Sequence, residues 1–121
     1  MDVNGTYKLG TKGNINKNQI SFAATIPATT LGAATLIVLG IGYAPFASEY
    51  TFAIPTANSP TTTQATVSVS FGADLPASCG VAFARVIQSG SVFSVRLRLY
   101  NYASATVPIA ATPVYFTITE F

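Results

Sequence analysis

Between Ala65 and Phe71 the chain alternates without a slip: Val67, Val69 and Phe71 fall on one face, Thr66, Ser68 and Ser70 on the other. The same period of two runs from Gln19 to Ile26, where Ile20, Phe22, Ala24 and Ile26 oppose Ser21, Ala23 and Thr25. It returns in Phe93 to Tyr100, with Phe93, Val95, Leu97 and Leu99 against Ser94, Arg96, Arg98 and Tyr100. Val114 to Phe121 closes the chain in the same way, with Val114, Phe116 and Ile118 against Tyr115, Thr117, Thr119 and Phe121. Only an extended backbone sends successive side chains to opposite faces, so these segments are expected to be strands with one face buried. No stretch carries the spacing and caps of an amphipathic helix. The expected fold is all-β: an antiparallel β-sandwich, jelly-roll-like, of about seven to eight strands over residues 19–121. A short polar arm or loop, residues 1–18, is expected to precede it.

The remaining strands are less sharply patterned. Ala34 to Tyr43 is apolar apart from Thr35 and two glycines, and suggests a fully buried central strand closed by Pro45. Gly40 and Gly42 lie on one face of it, where another backbone could come close. Tyr50 to Ile54 is a shorter strand bounded by Pro55, and Val81 to Ile87 pairs with Phe93 to Tyr100 through a Gln88-Ser89-Gly90 link. Thr56 to Gln64, rich in Thr and holding Pro60, is expected to be a surface loop. Gly72 to Gly80 is expected to be a turn region, and Asn101 to Pro113 a connection.

Charge is scarce. Only 8% of the 121 residues are charged, against about 25% in an average soluble domain. The exposed surface must therefore be built largely from hydroxyls and amides, which suits a protein covered by copies of itself or by partners. The net charge of +2 is too small, and too scattered, for a nucleic-acid face. Lys8, Lys12 and Lys17 gather in the arm, either as a solubilising segment or as one that docks an acidic neighbour. The opening Met1-Asp2-Val3-Asn4-Gly5-Thr6 lacks the basic and apolar regions of a secretory signal. Asn18 to Ser48 carries no charge, but Pro27, Pro45, Gly32, Gly40 and Gly42 break it up; strands with turns, and no membrane span, are expected.

The inventory for catalysis is short. There is no histidine, and Cys79 is the single cysteine, so neither a disulfide within the chain nor a Cys/His metal site can form. Of the four carboxylates, Asp2 is at the start, Glu49 precedes a strand, Asp74 sits in a turn and Glu120 is next to the end. Turn and terminal carboxylates are usually solvated, and Glu49 with Asp74 is the one pair worth weighing for glycoside hydrolysis. A His-based triad is closed off, and every lysine lies in the arm. Cys79, in a turn before a strand with no base to activate it, is expected to be an inert packing residue. The expectation is a protein that is not an enzyme and uses no cofactor.

The residues that suggest binding are on one hairpin. Arg96 and Arg98 share a strand face, Arg85 lies on the neighbouring strand, and Tyr100 and Tyr102 follow. A strand face kept soluble by arginine accounts for them. So does an interface, where Arg and Tyr are enriched, or a glycan-binding surface. Phe22, Phe71, Phe93 and Phe116 are core by phase, whereas strict alternation puts Phe83 on the face of Arg85.

The C-terminal half, about residues 65–121, resembles a β-sandwich module of tailed-phage virion structural proteins, of the decoration or tail-fibre type. The residues that carry the resemblance are Leu75-Pro76-Ala77, Gly80 to Val86, Ser91 to Asn101 with its closing Arg98-Leu99-Tyr100-Asn101, Ala103 to Thr106, and Val114 to Thr119. The chain departs from the pattern at Val107-Pro108, where an acidic residue is common, and at Tyr115, where tryptophan is frequent. The resemblance implies a bacteriophage virion protein that assembles on the particle as a homo-oligomer, a trimer being favoured, in contact with other virion proteins. The alternative is a receptor- or carbohydrate-binding module at a fibre tip that meets a host-surface glycan, its site lined by Tyr43, Tyr50, Tyr100, Tyr102 and the 56–64 loop. The resemblance carries over no functional residue.

Overall fold

The structure, a computed structural model, describes residues 18–36, 43–56 and 59–121. Among them there is no α-helix, and the strands are β1 (Asn18–Ile26), β2 (Thr29–Leu31), β3 (Thr35–Leu36), β4 (Tyr43–Ala44), β5 (Phe46–Ala53), β6 (Ala65–Phe71), β7 (Cys79–Ser89), β8 (Val92–Asn101), β9 (Val107–Ile109) and β10 (Thr112–Glu120). Two three-stranded sheets dominate, ordered β1-β10-β6 and β5-β8-β7, and β2-β9 and β3-β4 are small ladders. Every pairing is antiparallel. The expected all-β architecture is present, and two sheets feeding one core are consistent with a β-sandwich.

The alternation in the sequence fixes which side of each sheet is dry. On the two central strands six inner side chains are completely enclosed: Val95, Leu97 and Leu99 on β8, and Val114, Phe116 and Ile118 on β10. Burying a side chain of this size contributes about 1.5–3 kcal/mol. Phe116 is the contact between the sheets, its ring 5.2 Å from Phe22 of β1 and 5.5 Å from Phe52 of β5. Edge strands are less well covered: Ile20, Phe22, Tyr50, Phe52, Val67 and Val69 pack on the core but stay half-buried.

β2 continues β1 in one register. Ile26 faces Thr112 and Thr29 faces Ile109, three residues on along both strands. Pro27, which has no N–H to give a ladder, interrupts the pairing without shifting it.

Several expectations are corrected. The Ala34–Tyr43 run is not a central strand, because Thr35 pairs with Ala44 and Leu36 with Tyr43 in a short ladder of its own. Its middle, with Gly40 and Gly42, lies outside the described residues, as does the arm before Asn18; Asn18 itself opens β1. The 101–113 connection contains β9, held to β2. Cys79 begins β7 instead of sitting in the turn, and Glu49 lies within β5 instead of before a strand. Glu120 is not solvated. It is fully enclosed, taking hydrogen bonds from Asn18 Nδ2 at 2.6 Å and from the backbone N–H groups of Thr61 at 2.5 Å and Thr62 at 3.4 Å. These donors replace water around the carboxylate and tie the loop before β6 to the ends of β1 and β10.

Candidate functional site

The outer face of β5-β8-β7 gathers the arginines. β8 turns Arg96, Arg98 and Tyr100 outward because Val95, Leu97 and Leu99 take the core. On β7 a bulge decides the phase. Val81 pairs with Leu99 but Phe83 pairs with Arg98, so one extra residue is inserted between them. Without it Phe83 would stand opposite Leu97 and point into the core. With it, Phe83 and Arg85 join the arginine face, as their shared phase in the sequence predicts. The rungs across the sheet are then Ala47, Tyr100 and Gly80; Glu49, Arg98 and Phe83; and Thr51, Arg96 and Arg85.

Glu49 holds the centre of this face. Arg98 donates from Nη2 to Glu49 Oε1, and Arg96 Nε lies 3.4 Å from Glu49 Oε2. The hydrogen bond from Arg98, reinforced by the charges of Arg98 and Arg96, holds the Glu49 carboxyl below its ordinary value of 4.5. Arg98 also lies over Phe83, its guanidinium carbon 4.6 Å from the ring centroid, a contact worth about 0.5–1 kcal/mol at an exposed site. Arg85 is exposed and stands directly opposite Arg96, and among the described residues no carboxylate pairs with it.

The far end of the face is aromatic. Tyr100 lies over Gly80, where an added Cβ would meet its hydroxyl oxygen at 2.5 Å. Tyr102 meets Tyr100 edge-on at 4.6 Å and is 58% exposed. Beneath them is Asn101, fully buried on the core side of β8. Its Oδ1 accepts from the Ser78 hydroxyl at 2.7 Å and the Ala103 N–H at 3.0 Å, and its Nδ2 donates to the carbonyls of Gly32 at 2.9 Å and Ala105 at 3.1 Å. One side chain thus fastens three loops where the tyrosines sit.

All five predicted residues, Arg85, Arg96, Arg98, Tyr100 and Tyr102, therefore lie on or beside one sheet face. Phe83 and Asn101 are not among the site residues that the sequence suggests, and Glu49 is suggested only as the partner of Asp74. Asn101 had a visible signal, a polar residue falling in the buried phase after Val95, Leu97 and Leu99. The glycan site drawn from Tyr50, Tyr100, Tyr102 and the 56–64 loop does not assemble. Tyr50 faces the core side, and the loop leaves β5 beside Phe93, seven residues or about 23 Å along β8 from Tyr100 at ~3.3 Å per residue. The Tyr43 side chain lies outside what the structure describes. Glu49 is engaged by two arginines while Asp74 lies exposed in the turn after β6.

The other sheet presents a different outer surface. Its rungs are Gln19, Thr119 and Thr66; Ser21, Thr117 and Ser68; and Ala23, Tyr115 and Ser70. None is charged, and the hydroxyls of Ser21 and Thr117 lie 3.2 Å apart. Among the described residues no three His, Cys, Asp or Glu side chains cluster as metal ligands, and no helix is long and apolar enough to cross a membrane. In comparisons with known proteins, no family model, curated protein or solved structure matches the chain.

Proposed function

We propose that this chain is a binding and assembly subunit, not an enzyme: a bacteriophage virion structural protein that associates on the particle as a capsid decoration or tail-fibre component. The observation that carries the reading is the segregation of charge. All three arginines of the chain, with Glu49 and two tyrosines, lie on or beside one outer sheet face, and the opposite sheet shows uncharged hydroxyls. A small domain with two chemically distinct sheet faces suits packing between neighbours, where Arg and Tyr contribute most. The resemblance of residues 65–121 to phage virion modules supports the setting. Homo-oligomerisation, with a trimer favoured, belongs to the same reading.

The test is co-sedimentation of the chain with virus particles, combined with light scattering at micromolar concentration. Binding to particles, or a mass above that of one chain, is expected. A monomer that leaves the particles bare contradicts the reading. A second reading, a receptor or glycan contact, is favoured only by the Tyr100–Tyr102 pair, in which Tyr102 is exposed and Tyr100 half-buried. It predicts glycan-array binding that is lost in Tyr100→Ala, and silence on a broad array removes it.

A further inference from the structure

The two flanks of the molecule differ. β6 lies against β7 and β2 against β5, so β1 and β5 share one flank and β6 and β7 the other. On the β1/β5 flank, Phe22, Tyr50 and Phe52 pack against the core but remain half-buried. Among the described residues, β5 and β7 each pair with β8 alone, so each leaves one row of backbone N–H and C=O groups open. Neither strand contains the lysine or proline that commonly blunts a free edge, and the bulge of β7, between Val81 and Phe83, precedes the regular stretch that carries Arg85. The charges on the two edges are opposite. β5 carries Glu49 as its single charged residue, and β7 carries Arg85 as its own. Both lie on the same outer face, one rung apart.

We propose that copies of this chain join head to tail, the β7 edge of one adding to the β5 edge of the next. The proposal rests on the assembly reading above and names its interface. Arg85 of one copy then reaches Glu49 of its neighbour, and the added strand covers Tyr50 and Phe52. β5 and β7 both run antiparallel to β8, so they run in the same direction, and a sheet continued with that direction kept has a parallel junction. Parity is satisfied too. Glu49 and Arg85 stay on the outer face while Tyr50, Phe52, Ala84 and Val86 stay on the inner one, which a one-residue slip would reverse. Pairing like edges across a two-fold centred on these residues sets Glu49 against Glu49 or Arg85 against Arg85, which is unfavourable. The unlike pairing is a heterologous contact, and such contacts close into rings or run on as filaments.

The experiment is sedimentation equilibrium of the whole chain beside Arg85→Glu, Thr51→Lys and Ala111→Glu, each first checked for native circular dichroism. Thr51→Lys places a charge on the β5 edge, and Ala111→Glu charges the exposed turn between β9 and β10. The wild type is expected to associate, with Arg85→Glu and Thr51→Lys each weakening association roughly tenfold or more and Ala111→Glu leaving it unchanged. Amide exchange in β5 and β7 of the wild type is expected to slow as concentration rises, a readout that needs no variant. Association that ignores both Arg85→Glu and Thr51→Lys, or exchange independent of concentration, overturns the edge interface and leaves the assembly reading standing. A wild type that stays a single chain overturns the interface as well, and the assembly reading then stands or falls on particle binding alone.

Discussion

Asn101 and Glu120 are polar residues enclosed at opposite ends of the molecule, and both act as knots. Replacing Asn101 with leucine keeps the volume but strands the Ser78 hydroxyl, the Ala103 N–H and two carbonyls. Each unsatisfied buried group costs about 1–3 kcal/mol, so Asn101→Leu is expected to lower stability by about 3 kcal/mol in urea unfolding. A loss below about 1 kcal/mol would show that water reaches these groups. For Glu120→Gln, one carboxylate oxygen becomes an NH2 facing N–H donors. The expected result is faster amide exchange at Thr61 and Thr62 and a loss of about 1–3 kcal/mol; unchanged exchange would contradict the knot. Glu49 sets the acid response of the arginine face. Its carboxyl is held low by Arg98 and Arg96, so the folded state gains stability from it that is fully present above about pH 4.5, where it is ionised even when unfolded. That stability is lost as pH falls through the lower folded value. A side-chain NMR titration should find the Glu49 midpoint below 4.5, and a midpoint at or above it would show the ion pairs absent in solution.

The β7–β8 hairpin shows how a local choice positions the whole arginine face. Ser89 pairs with Val92, so the link is the two residues Gly90 and Ser91. Gly90 has φ +61°, and a Cβ there would touch nothing within 4 Å. Gly90→Val should therefore cost backbone strain alone, about 1–2 kcal/mol, read as a lower urea midpoint with Arg98 and Phe83 still in contact. A neutral outcome would mean that the turn adopts another conformation. Strands with strict alternation were legible from sequence: β6 lies at Ala65–Phe71 as its pattern predicts, and β10 begins two residues early. The apolar run from Ala34 was not, because continuous hydrophobicity has no phase and does not distinguish a buried strand from a short ladder. β9 was missed because three residues with Pro108 at the centre carry no period. The five candidate residues were found from phase on one hairpin. The pairing of Glu49 with Arg96 and Arg98 was not legible, because it depends on β5 lying beside β8, a long-range pairing that no local pattern announces.

At the scale of the whole molecule, the central strands are finished and the edges are not. Val95, Leu97 and Leu99 of β8 and Val114, Phe116 and Ile118 of β10 are completely buried, whereas Phe22 of β1 and Tyr50 and Phe52 of β5 remain half-buried. With 8% charged residues, the chain has few of the like-charge barriers that keep monomers apart. Unlike charges on two open edges and an uncharged hydroxyl surface on the second sheet point the same way, towards a domain whose neighbours complete it. Sedimentation velocity of the wild-type chain, from micromolar concentration upward, tests this most directly. A species heavier than the 12.6 kDa chain, growing with concentration or appearing on addition of virus particles, is the predicted result. A single 12.6 kDa species at every concentration, unchanged by particles, would contradict it.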